Sequence, residues 1–209
     1  GAVLELAHAK DFPLQDIAKW WLMNRKGNDW KNYDIDGTMK ALGLYDPDKV
    51  KLVAVPPPAE MKDAPALPSV AEIAKLTGDK QRGQAGVAIC YTCHHIGATG
   101  IDFGPDLSSF GKQQTAEIII QAIREPSATI SHGFEGSEVL TKDGLTIAGM
   151  VLSSGDPLII KCMGGQVQTV PQSRIQAVTK MTRSLMLPPQ MMGLNGQSIA
   201  DIVAYLKSL

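Results

Sequence analysis

Cys90-Tyr91-Thr92-Cys93-His94 is the stretch on which the reading of this 209-residue chain turns. Two thiols three residues apart sit about one helical turn apart and face the same side. His94 follows at once and projects from the same turn. A redox C-x-x-C would expect a thioredoxin-like βαβ setting, which the flanking sequence lacks. A zinc site would want four ligands, and the chain offers neither a second Cys pair nor an H-x-x-x-H. C-x-x-C-H is the attachment spacing for haem c. In that chemistry two thiols become thioethers on the vinyl groups, and the following histidine gives its Nε2 to iron. The expected cofactor is therefore one covalently bound haem c, tethered by Cys90 and Cys93 with His94 as the proximal ligand.

Around this motif the pattern is helical. Ser69 can cap Val70 to Leu76, with Glu72 in the first turn. Gly78-Asp79 interrupts, and a second helix is expected from Lys80 to about Cys90. A turn-rich loop spans Gly97 to Pro105. Gln114 to Arg124, with Thr115 as a cap, carries Ile118, Ile119, Ile120 and Ile123 and stops at Pro126. From about 134 to 180 the period changes to that of strands. Glu138 to Thr141 and Leu145 to Leu152 flank a tight turn at Lys142-Asp143-Gly144, and Leu158 to Cys162 and Gln166 to Val170 follow. Ser198 to Leu209 closes the chain with a helical stripe of Ile199, Ile202, Val203 and Leu206.

Upstream, Leu4, Leu6, Ile17, Trp20, Trp21 and Met23 suit a helical face interrupted at Pro13. Asp46-Pro47 and the prolines from Pro56 to Pro68 read as an extended linker or strap, because proline withholds a backbone donor. A boundary near residue 68 divides an N-terminal helical and Pro-rich segment, 1–68, from a haem domain, 69–209, with a β-rich insertion at about 134–180.

Composition narrows the class. Twenty basic and 21 acidic residues leave a net charge of -1, which argues against nucleic acid as the main partner. No apolar run approaches the roughly 18 residues of a membrane span, so no transmembrane segment is expected. Hydrophobic residues at 44% suffice for a packed core, and three Cys are too few for a disulfide scaffold. The start at Gly1, with neither Met nor a leader, reads as a mature or excised piece.

Several further motifs resemble the class I c-type cytochromes. Gly83-Gln-Ala-Gly-Val87 is similar to the G-x-x-x-aromatic helix before the attachment site, although Val87 replaces the aromatic. Gly104-Pro105-Asp106-Leu107 resembles the Gly-Pro-x-Leu that follows it, and Tyr205-Leu206 resembles the pair in the family's last helix. The resemblance implies that the Pro105 carbonyl accepts a hydrogen bond from Nδ1 of His94, and that a methionine completes the iron's ligands. Met186, nineteen positions before Tyr205 in Ser184-Leu-Met-Leu-Pro-Pro, is the preferred sixth ligand. Met191, Met192 and His132 are the alternatives. Met150, Met163 and Met181 read as core filling.

The long interval between His94 and Met186, together with Arg124-Glu-Pro-Ser-Ala-Thr-Ile and Thr141-Lys-Asp-Gly, resembles a narrower type. It is the haem-binding domain at the C-terminal end of large planctomycete and verrucomicrobial proteins, often behind a dehydrogenase-like propeller. The fold implied is mainly α: a cytochrome c-like helical haem domain with an inserted small antiparallel sheet, behind the N-terminal extension. The function implied is a monohaem electron carrier, not itself an enzyme, with His94 and Met186 on the iron. It would work in the periplasm or at the cell surface, with a redox partner protein or a fused dehydrogenase domain. An enzyme or gas sensor with an open sixth position is the alternative. Arg124, Arg174 and Arg183 are candidate partners for the haem propionates, and Cys162 reads as a buried structural thiol.

Overall fold

Short polar side chains set where the helices around the motif begin. In a computed structural model, which describes residues 1–59 and 65–209, Ser69 and Glu72 form a reciprocal capping box at the start of α4 (Val70–Ala74). Asp79 caps α5 (Lys80–Gly86) by accepting from the Arg82 amide. Thr115 caps α7 (Ala116–Arg124), which follows the single turn α6 (Phe110–Gln113). α7 buries Ile119, Ile120 and Ile123 on one face and leaves Ile118 half exposed. Asn195 caps the last helix, α8 (Gly196–Leu206). α5 and α8 cross at Gly83, where any side chain would collide with the Asp201 carbonyl and with Cβ of Tyr205. The core between these helices gathers Ile73, Val87, Ile120, Ile199, Ile202 and Leu206.

The helix expected to run from Lys80 to Cys90 stops at Gly86, and Val87–Thr92 continues as a tighter 3-10 turn. A two-stranded hairpin, β1 (His95–Ile96) with β2 (Thr99–Gly100), follows the motif.

The strand-patterned stretch forms one five-stranded antiparallel sheet from β3 (Ser137–Thr141), β4 (Thr146–Ser153), β5 (Leu158–Lys161), β6 (Val167–Val170) and β7 (Ile175–Lys180). Their order is β6-β5-β4-β3-β7. Successive residues of a strand point to opposite faces. Ile147 of β4 therefore joins Val139, Leu158, Ile160, Cys162 and Val170 in the sheet's own core. Ala148 and Met150 point the other way and meet Phe103 and Leu185. β7 lies on an edge and is almost wholly exposed along its length.

This arrangement corrects the expected architecture. The described residues are 37% helical and the fold is mixed α/β, not a mainly α, cytochrome-like fold. The physical reason is that the strands bury a separate hydrophobic core and gain an edge strand, β7, that the sequence pattern did not announce. The sheet is a structural layer in its own right.

The N-terminal residues form α1 (Ala2–His8), α2 (Gln15–Arg25) and α3 (Ile35–Ala41) around Ala7, Leu22, Ile35 and Met39. Trp21 and Trp30 meet edge to face at 5.0 Å. Lys26, only 2% exposed, donates to Asp36 at 2.8 Å and to Asp156 beyond β4 at 2.9 Å, tying this unit to the sheet. Part of the proline-rich stretch, residues 60–64, lies outside the described residues; just before it the chain runs against the sheet. Val55 bridges Ile147 in parallel, and the Gln168 side chain both accepts from and donates to the Val53 backbone. No helix among the described residues is long and apolar enough to cross a membrane.

Candidate haem-binding site

The 3-10 turn after α5 presents the motif. The amides of Cys93 and His94 both donate to the Cys90 carbonyl, at 3.0 and 2.8 Å, so Cys90, Cys93 and His94 share one tight turn. Its surroundings at Ala88, Ile89 and Thr92 are exposed, while Cys90 and Cys93 are half-buried. Burial pushes the Cys90 thiol up to about 11, with the neighbouring Cys93 adding to the effect. Cys90 packs against the helical core, and Cys93 against Phe103, Met150 and Leu185. The motif thus sits at the seam between the helices and the sheet.

His94 is held from one side. Its Nδ1 lies 2.7 Å from the Pro105 carbonyl, which can only accept, so Nδ1 carries the proton and Nε2 keeps its lone pair. Burial lowers the imidazole's pKa, and the Pro105 carbonyl opposes this to a lesser degree. The ring is thus neutral at physiological pH, as a metal ligand must be. Gly104 makes room for it: a Cβ there would stand 2.5 Å from Cε1 and 2.7 Å from Nδ1 of His94. The Gly-Pro pair therefore has two separate jobs, clearance and orientation.

Met186 faces the same space. Two adjoining cavities, of about 50 and about 170 Å³, are both lined by His94, Pro105, Phe134, Ser184 and Met186. Cys93, Phe103, Leu185 and Met150 complete the smaller one. Leu107, Phe110, Ile119, Ile123 and Ile130 are among the further residues that line the larger. The lining of both is mostly apolar. The Met186 loop is held locally: the Met186 amide donates to Ser184 Oγ at 3.1 Å, and the Ser184 amide to Ser127 Oγ at 3.0 Å.

The other sequence candidates lie elsewhere. Met191 is exposed, and Met192 packs on the helical core. The His132 side chain is fully exposed beside Glu135. Met163 and Met181 pack beside Met150 without lining either cavity. Of the three arginines, Arg124 and Arg183 border a further pocket that shares Met186. Arg124 donates to the Pro68 carbonyl at 2.9 Å and Arg183 to the Pro58 carbonyl. Arg174 is tied to the Val50 carbonyl and Asp143 at the β7 edge and does not border the cleft. Cys162 is fully buried in the sheet core.

Sequence reasoning missed Phe103, Phe134 and Leu185 as lining residues; Met150, read as core filling, packs with Phe103, Ala148 and Leu185 and also borders the smaller cavity. Phe103 and Leu185 flank quoted motifs and could have been suspected. Phe134 and Met150 reach the cleft only through the docking of the sheet, which leaves no local signal.

The donor set fits a haem c in kind: two thiols on one turn, an imidazole with Nε2 free, a thioether in the same cleft and apolar walls. Among the described residues, no three of His, Cys, Asp and Glu are gathered as a metal cluster of the zinc type. No protein-family model matches the chain, and no curated protein matches it.

Proposed function

We propose that this chain is a monohaem electron-transfer module of c type, with the cofactor tethered through Cys90 and Cys93 and ligated by His94 and Met186. The observation that carries this reading is the Nδ1–Pro105 hydrogen bond beside Gly104, within the turn of a C-x-x-C-H. It leaves the imidazole with one free nitrogen and one fixed orientation, as a proximal ligand requires. Cys90 and Cys93 would hold the haem through thioether links to its vinyl groups, a net addition that needs no oxidant. When bound, the haem supplies a one-electron Fe(III)/Fe(II) couple. The chain's own part is to hold that couple still. His94 and Met186 would together hold the iron and leave no position for substrate, which favours electron transfer over catalysis. Phe103, Phe134, Ile119 and Ile123 keep water from the metal, and a thioether ligand favours Fe(II), so both raise the potential.

Electrons enter and leave at the exposed turn around Ile89 and Thr92. The partner is a redox protein or a dehydrogenase domain of the same polypeptide, and contact is small and transient. With thioether-bound haem, the working protein would belong in the periplasm or outside the cell. Optical spectra of protein produced with a cytochrome c maturation system test the reading. Low-spin spectra in both oxidation states, with the far-red band of thioether-ligated ferric haem, are expected. A high-spin ferric spectrum with rapid cyanide binding would overturn the closed site, and a colourless folded protein would overturn the haem.

A further inference from the structure

On one side of the Met186 loop lies a pocket of about 400 Å³, walled by Arg183, Met186 and Gln190 of the loop and by Pro58 and Ala59 of the proline-rich stretch. Hydrogen bonds, not core packing, join the two walls. Arg183 donates to the Pro58 carbonyl, and Gln190 Nε2 donates to the Pro65 carbonyl at 3.2 Å. Arg124, on the same rim, reaches the Pro68 carbonyl at 2.9 Å. Each of these acceptors is the carbonyl of a proline. Proline brings no N–H to a helix or ladder, so such a stretch leaves carbonyls over for donors from elsewhere. The stretch is itself fixed upstream. Arg174 donates to the Val50 carbonyl at 2.6 Å, Gln168 clamps the Val53 backbone, and Val55 pairs beside Ile147. The sheet thus holds residues 50–55, while the carbonyls of Pro58 and Pro65 take hold of the loop three residues before Met186 and four residues after it.

We propose that Arg183 and Gln190 are positioning residues for the axial methionine: by pinning both ends of its loop to Pro58 and Pro65, they keep the Met186 thioether in place for ferric iron. This rests on the haem reading above. A thioether favours Fe(II) and is the weaker partner of Fe(III). In the oxidised state the rigidity of the loop therefore decides how firmly Met186 resists a competing ligand, because a loop already ordered by the fold loses little freedom on binding. The proline-rich stretch would then be part of the haem site and not merely a linker ahead of it.

The test titrates ferric holoprotein with imidazole, which competes with Met186 and abolishes the far-red thioether band. Arg183→Leu should bind imidazole about tenfold more tightly than wild type, the size of one lost charge-assisted hydrogen bond, and Gln190→Leu roughly threefold more tightly. Arg183→Lys, which restores a cationic donor, should recover most of the difference. Arg174→Leu, which frees Val50 and Asp143 but no part of the loop, should match wild type. Wild-type affinity in both leucine variants of the loop, with the band present in the wild type, overturns the positioning role and leaves the haem reading standing. An equal rise in Arg174→Leu overturns it too, since that marks general loosening. A wild type with covalent haem but no band removes Met186 as ligand and this proposal with it, and one without covalent haem overturns the haem reading itself. Should Arg183→Leu fail to fold, Gln190→Leu decides: tighter imidazole binding supports the proposal, and wild-type affinity overturns it.

Discussion

Replacing Asp201 by Asn tests the helix crossing that supports the motif. The Asp201 carboxylate on α8 is 6% exposed. It accepts from the Asp79 amide at 2.8 Å, from Arg82 Nε at 2.7 Å and Nη2 at 2.9 Å, and from Gln197 Nε2 at 2.9 Å. The Arg82 guanidinium, the foremost cause, holds the acid down to about 2, against its ordinary 3.8. At full strength that difference corresponds to roughly 2 kcal/mol. Arg82 is itself 59% exposed, so solvent screening reduces the contribution to about 1–2 kcal/mol. The folded pKa is depressed, so this stability is complete above about pH 4 and disappears as the pH falls through about 2. Asp201→Asn keeps the shape, removes the charge and turns an amide N–H toward donors. Urea unfolding of the holoprotein at neutral pH should show a loss of about 1–2 kcal/mol, and the gap between variant and wild type should shrink steadily below about pH 4. An unchanged midpoint at neutral pH, or a gap that is as large at about pH 2.5 as at pH 7, would refute this account of the crossing.

Gly104→Ala drives a methyl group into the His94 ring, so we expect a loss of about 1–3 kcal/mol from overpacking and a displaced Nδ1–Pro105 bond. Unfolding midpoints and a perturbed haem spectrum in this variant would register both. Lys26→Met strands Asp36 and Asp156 without their shared cation; a loss of about 1–3 kcal/mol is expected, since both carboxylates keep some contact with water. Limited proteolysis should then release the first 45 or so residues faster than from wild type, and equal rates would show the triad to be dispensable. Thiol counting gives an independent reading of the motif. The native holoprotein should react with no alkylating agent at Cys162, which is fully buried with its pKa raised by that burial. After denaturation it should yield one reactive thiol, whereas three would mean that Cys90 and Cys93 carry no thioethers.

What the sequence made legible was local. The caps at Ser69 and Thr115, the isoleucine face of α7, the Asp143-Gly144 turn with its flanking strands and the stripe of α8 all follow from contacts within a few residues. The elements that went unread depend on distant partners. β7 pairs with β3 but is exposed along almost its whole length, so it shows no alternation to read. The helix into the motif ends early because Gly86 and the packing of Val87 favour a tighter turn, not because of any proline. The fold class failed for the same reason: the sheet's independence lies in cross-strand packing of Val139, Ile147, Leu158 and Ile160, and β4 becomes a wall of the cleft only by docking on Phe103 and Leu185. Of the candidate site, Cys93, His94, Pro105 and Met186 border one cleft, and Cys90 shares the turn. The aromatic walls and Met150 were hidden because tertiary packing alone delivers them.

The most direct test of the central claim is the intact mass of the protein made with a cytochrome c maturation system and measured after acid denaturation. The account predicts the 22.4 kDa chain plus one haem, with no loss of colour from the protein fraction. The mass of the bare chain, with any pigment extracted into solvent, would contradict it.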